Sequence, residues 1–236
     1  MKIGNTNIST WNAKQRTISI ANHNKTKHNS EWISKAVLPY FSTLNIDMKE
    51  FTVTLWVYGA TRAAIVANCS DIIAQLMAPV DLTLDGYTHK FHGILQSVKQ
   101  TERSVDRFHI LELTFAGYEF GTDVTVSGYG TLTITNPGNI VSPAIVEITP
   151  TTGASSIELT GICRDSYTGA DLPCTIPTLV SGNTVRLDAM TGLVTEQGLP
   201  KDAEVWALPS FKPGNTTVTC NNNNMGISVT VRPLYI

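Results

Sequence analysis

The clearest periodicity in the chain is Phe51-Thr-Val-Thr-Leu-Trp-Val-Tyr58, where Phe51, Val53, Leu55 and Val57 alternate with Thr52, Thr54, Trp56 and Tyr58. Successive strand side chains point to opposite faces, so the run predicts a strand with one apolar face. After Gly59 the period changes. Ser70 is placed to cap a short helix, Asp71 complements its positive end, and Ile72, Ile73, Leu76 and Met77 form an apolar stripe that Pro79 ends. This is the one helix the pattern predicts, and its stripe should cover one face or end of a sheet.

Val80 to Leu84 and Tyr87 to Phe91 flank Asp85-Gly86, a dipeptide that accepts positive φ at both centres of a tight hairpin turn. Gly93 leads into a further run, Ile94 to Gln100. The polar stretch TERSVD turns the chain, and Arg107 to Ala116 returns with Leu111, Leu113 and Phe115 on one face. Between Phe120 and Thr131 the chain is polar and glycine-rich, which places a domain boundary there and predicts domains of residues 1–127 and 128–236. Downstream come short threonine-rich runs separated by Asn136-Pro137-Gly138, Thr191-Gly192, Pro213-Gly214 and the tip Asn221 to Asn224. Short strands with turn signals at roughly 8 to 12 residue spacing predict an antiparallel sandwich or jelly roll, with no helix required.

Composition sharpens this picture in one respect. Charged residues make up 15% of the chain, against about 25% in an average protein, and threonine and asparagine cover the difference. A charge-poor surface suits large protein contacts, because the buried centre of an interface is depleted in charge. Residues 1–127 carry 12 basic and 11 acidic groups and residues 128–236 carry 5 and 8, so neither half has the basic field of a nucleic-acid binder. No run of about 18 apolar residues is present to span a membrane, and MKIGNTNIST lacks the apolar core of a signal peptide. The chain is therefore expected to be made in the cytosol, where the sequons at Asn7, Asn24, Asn68 and Asn215 would carry no glycan.

Candidate chemistry is sparse. Cys69, Cys163, Cys174 and Cys220 show no metal-ligand spacing. Cys163 and Cys174 could face each other in a hairpin, but a cytosolic origin favours buried thiols. His89 and His92 with Asp85 invite a metal reading, yet strand residues three apart point to opposite faces, and solvent-facing or packed histidines are expected instead. No nucleophile elbow, phosphate-binding loop, dinucleotide fingerprint or zinc-protease motif is present, and no cofactor is implied. Glu147, Glu158, Asp165, Asp171, Asp188 and Glu196 could supply paired carboxylates, though nothing singles out two of them. Asp188 sits where a strand ends and is expected to hold a turn by accepting backbone N–H bonds. Asp85, Gly86, Gly192, Pro213 and Gly214 are likewise turn formers. Trp206 is a candidate sugar-stacking platform, against the commoner fate of core burial. The polar stretch that includes Asn22, His23, Lys25, Lys27, His28 and Glu31 reads as a long exposed loop, a candidate intersubunit arm.

The order of these features resembles the distal tail proteins of long-tailed, non-contractile phages, the siphovirus tail component family. In the first half the resemblance rests on Gly59-x-Thr61-Arg62, Pro79-Val80-x-Leu82-x-Leu84-Asp85-Gly86, Phe91-x-Gly93, Arg107-Phe108-x-Ile110-Leu111-x-Leu113-x-Phe115 and Gly117-Tyr118. In the second it rests on Asn136-Pro137-Gly138 with Pro143, Leu187-Asp188 with Gly192-Leu193-Val194, and Pro209-x-Phe211-x-Pro213-Gly214-Asn215. These are turn and packing signatures, and their order carries the match.

The resemblance implies a mainly β fold, with an N-terminal tail-tube-like β domain bearing one short helix and a C-terminal galectin-like antiparallel β-sandwich. It implies a structural, non-enzymatic virion protein: a homo-hexameric baseplate hub at the distal end of the tail, joining the tail tube protein to a tail-tip or tail-associated lysin protein. DNA would pass through the ring without sequence-specific contact, and the receptor-binding and tape measure proteins would be further neighbours. The second half lacks the His-Asn-Arg and Trp-Gly-x-Glu patterns by which galectins hold galactosides, which counts against lectin activity; a carbohydrate-binding adhesion module that uses Trp206 is the alternative reading.

Overall fold

The computed structural model describes residues 1–21, 30–31, 40–41, 48–102, 107–164, 170–201, 205 and 208–236. The chain is mainly β with antiparallel sheets, and it divides into two compact units, Met1–Phe120 with Ile236 and Gly121–Tyr235. The division falls ahead of the glycine-rich stretch where the sequence places it. That stretch is polar because it forms an edge strand, Val124–Tyr129, whose Thr125, Ser127 and Tyr129 are exposed while Val124, Val126 and Gly128 are partly covered.

The first unit contains β1 (Lys2–Ile3), β2 (Thr6–Asn7), a 3₁₀ turn at Ile8–Trp11, β3 (Ala13–Ala21), β4 (Ser30–Glu31), β5 (Tyr40–Phe41), β6 (Lys49–Tyr58), α1 (Arg62–Ala74), β7 (Val80–Thr83), β8 (Lys90–Glu102) and β9 (Phe108–Phe120). Its main sheet runs β2-β1-β7-β8-β9-β6-β3, and β4 pairs with β5. The alternation predicted for Phe51–Tyr58 is the spine of this sheet. Phe51, Val53, Leu55 and Val57 are buried with Leu111, Leu113 and Phe115 of β9 and with Ile65, Cys69, Ile72 and Leu76 of the helical segment.

The helix is longer than its sequence signal and starts earlier. Thr61 is the N-cap, its Oγ1 accepting a hydrogen bond from Ala64 N at 3.2 Å, and Ser70 lies inside the helix. The buried stripe begins at Ile65 and Cys69, where cysteine serves as a small apolar residue. Met77, expected in the stripe, lies beyond the helix and is 78% exposed.

The hairpin also differs from expectation. β7 pairs with β8 from Val80↔Gly93 to Thr83↔Lys90, so the ladder stops short of the tip, and Asp85-Gly86 forms the centre of a turn, closed by Tyr87 N donating to Leu84 O at 3.3 Å, inside a wider loop of residues 84–89. Gly86 has φ +86°, but Asp85 does not adopt positive φ. The Gln15 side chain braces this turn: its Nε2 donates to Asp85 O at 3.0 Å and its Oε1 accepts from Asp85 N at 2.9 Å. β8 then runs unbroken through Gly93, which pairs with Gly117 of β9.

The second unit contains β10 (Val124–Tyr129), β11 (Thr131–Asn136), β12 (Ser142–Pro150), β13 (Ala154–Arg164), β14 (Asp171–Leu179), β15 (Val185–Asp188), β16 (Leu193–Glu196), β17 (Leu199–Pro200), β18 (Ser210–Phe211), β19 (Gly214–Cys220), β20 (Met225–Val231) and β21 (Leu234–Tyr235). One sheet runs β10-β20-β12-β15-β16-β17, with β18 on β12, and a second runs β11-β19-β13-β14. Both sheets contribute to a single apolar core, for example Val146, Leu187 and Val229 from the first and Ile134, Ile157 and Val218 from the second. That is a two-sheet sandwich.

Asn136 shows how a turn motif becomes packing. Its Nδ2 donates to Phe211 O at 3.0 Å and its Oδ1 accepts from Gly138 N at 2.9 Å, so a buried amide ties the end of β11 to the fully buried Phe211.

Candidate functional site

Among the described residues, the ion pairs fall into small groups at separate places. His89 Nδ1 meets Glu119 Oε1 at 2.6 Å, and the buried Lys49 donates Nζ to Glu119 Oε2. Burial opposes ionisation of Glu119, but the hydrogen bonds from Lys49 and His89 outweigh it and hold the carboxyl below its usual range. His92 Nδ1 instead meets Asp81 Oδ1 at 2.7 Å and stacks on Tyr118, so the two histidines serve different carboxylates.

In the second unit Asp171 pairs with Arg164, Glu196 with Lys201, and Glu147 and Asp188 with Arg186. The four cysteines are buried thiols outside any disulfide. Cys163 and Cys174 are not opposite each other: β13 and β14 pair Leu159 with Cys174 and Cys163 with Leu172 across a register shift. A hydrogen bond with Cys174, reinforced by burial, pushes the Cys163 thiol up and keeps it protonated.

The turn residues have defined partners. Asp188 Oδ1 accepts from Met190 N at 2.9 Å and Thr191 N at 3.2 Å, while Oδ2 accepts from Arg186 Nη2 at 3.0 Å. Gly192, at φ +77°, donates its N–H to Asp188 O. Pro213 precedes Gly214, which opens β19 at φ +92°, a conformation that favours glycine. Glu31 falls in β4, whereas Asn22, His23, Lys25, Lys27, His28, Asp165 and Trp206 lie outside the described residues.

Two exposed faces stand out. On the first unit's sheet, away from α1, Trp56, Tyr58 and Phe108 pack together with ring centroids 5.2 to 6.4 Å apart, and Arg16 Cζ lies 3.9 Å from the Trp56 ring centre. This cation–π contact and aromatic cluster form a half-exposed apolar surface.

The second face is polar. Strand register aligns Ser127, Ser228, Glu147, Arg186 and Thr195 in one row across β10, β20, β12, β15 and β16. The next row holds Tyr129, Gly226 and Thr149, and Thr149 Oγ1 lies 2.8 Å from Thr184 Oγ1. Between these rows is a groove of about 580 Å³, lined by Ser127, Tyr129, Glu147, Thr149, Thr184 and Ser228 and by the backbone at Gly226. No sequence motif marks it, because its residues meet only through pairing of strands distant in the chain.

No protein-family model and no curated protein matches the sequence. The likeness is in structure, and it is to hub and baseplate proteins of phage tails. The crystal structure of the Dit protein (gp 19.1) of SPP1, a hub of the adsorption apparatus of phages that infect Gram-positive bacteria, matches at 13% identity with a TM-score of 0.72. The match covers 99% of this chain and 98% of that one. A chain of the phage p2 baseplate in its activated conformation with Sr matches at 9% identity and a TM-score of 0.51, over 95% of this chain and 91% of that chain. At these identities the likeness is one of fold.

Proposed function

We propose that this chain is a structural virion protein, the distal tail hub of a long-tailed phage. Six copies form a ring at the end of the tail that joins the tube to the tail-tip proteins. The observation that carries this reading is the fold match to SPP1 Dit, which extends over nearly the whole of both chains. A fold alone does not assign a function, but the surface chemistry points the same way. The chain is poor in charge and close to neutral, which suits protein–protein contact and a DNA conduit, since a basic lumen would hold phosphates.

Immunogold labelling of intact virions with antibody against the chain tests the placement. Label confined to the end of the tail farthest from the capsid is expected; label along the tube or on the capsid would exclude a distal hub.

A further inference from the structure

We propose that the polar groove on the β10-β20-β12-β15 face of the second unit is a binding site for a neutral saccharide. The lining is built from groups that suit hydroxyls. Ser127 Oγ donates to Ser228 Oγ at 2.9 Å, and Thr149 and Thr184 share a hydrogen bond, so short hydroxyl side chains form the floor without filling it. Beside them Glu147 Oε1 accepts from Arg186 Nη1 at 2.7 Å, with both side chains about two-fifths exposed. An acceptor and a fork of donors held side by side match two neighbouring hydroxyls of a sugar ring, one donating to the carboxylate and one accepting from the guanidinium.

The groove also has an apolar wall. Tyr129 is 61% exposed, and its ring leans towards Gly226, where a Cβ would come within 3.7 Å of Tyr129 Cε1. The ring face offers a flat surface for sugar C–H groups next to the hydroxyl row. The groove, about 580 Å³, is shallow and open to solvent, so a ligand would lie along the sheet face.

Charge selects among ligands. Glu147, Arg186 and the neighbouring Asp188 supply two negative charges and one positive, so the site has no excess of cationic donors for a phosphate or a uronic acid. The site is built from residues other than Trp206, and it does not rest on the hub reading. Ring assembly and sugar binding are measured separately, so failure of one reading is distinguished from failure of the other.

A glycan array bearing neutral and anionic oligosaccharides, probed with the full chain and followed by titration calorimetry with a retained sugar, tests the inference. Neutral glycans should be retained. Tyr129→Ala and Glu147→Gln should each weaken binding about tenfold or more, equivalent to about 1.4 kcal/mol, while Trp206→Ala leaves it unchanged. Because Tyr129 is exposed, its variant should melt at the wild-type temperature, which keeps a binding loss apart from unfolding. Retention of anionic glycans alone, no retention of any glycan, or binding that survives both groove substitutions would overturn the assignment. Loss of glycan binding in Trp206→Ala with the groove variants intact would overturn it too.

Discussion

Gly117 faces Gly93 across β9 and β8 so closely that a Cβ on Gly117 would stand 2.0 Å from the His92 carbonyl oxygen. On the core side the Phe51 ring covers the glycine pair, with Cζ 3.1 Å from where a Gly93 Cβ would lie, and it stacks on Phe115 at a centroid distance of 5.1 Å. The obstruction at Gly117 is backbone, which cannot rotate aside as a side chain can. Gly117→Ala should therefore cost about 3 kcal/mol, at the upper end of overpacking penalties. Gly86→Ala is the control, because Gly86 has open space around it and meets only the penalty of its positive φ. Urea denaturation of the two variants checks the ranking, which equal losses would contradict.

Asp188 makes stability depend on pH. Its burial disfavours the charge, but the Arg186 hydrogen bond and the Met190 and Thr191 N–H groups outweigh that cost and lower the carboxyl below its usual value. A carboxyl with a depressed folded pKa stabilises fully above its unfolded value of about 3.9, and the contribution fades as pH falls through the folded value. Asp188→Ala should lose about 1–3 kcal/mol at pH 7. Asp188→Asn should lose less, since its amide oxygen can still accept from the turn. The gap between wild type and Asp188→Asn should close on acidification from pH 5 towards pH 2, as measured by denaturation at each pH. A gap that widens on acidification would assign the wrong sign.

The helix boundary gives a pair of contrasts. Thr61→Ala removes the cap and should cost about 1 kcal/mol, while Ser70→Ala should be close to neutral. Leu76→Ala empties a buried site and should cost about 2–5 kcal/mol. Met77→Asp, on an exposed residue, should stay within about 0.5 kcal/mol of wild type. Thermal melts of these four variants settle whether the helix starts at Thr61 or at Ser70.

What could be read from the sequence was what depends on near neighbours. The alternation of β6 is local, and the buried face it predicts is the one found. Threonine-rich runs with regular turns likewise announced the sandwich. The errors came from partners far away in the chain. Asp85-Gly86 forms the turn its local signature announces, but the ladder closes only at Thr83 and Lys90, and Gln15, 70 residues earlier, bonds the Asp85 backbone. The helix start was missed because Cys69 stands in the stripe where a larger apolar residue would have shown the period. The strand within the glycine-rich stretch, Val124–Tyr129, was not legible because an edge strand shows one face to solvent. The groove was invisible for the same reason in stronger form: Ser127, Glu147, Arg186 and Ser228 form one row only after four strands have paired.

The account's central claim is the ring. Sedimentation of the purified full chain over a range of concentrations, with symmetry read from negative-stain class averages of the same sample, tests it most directly. A species of six copies with a central hole and six-fold averages is the predicted result. A chain that stays monomeric at high concentration, or that assembles with another symmetry, would contradict it.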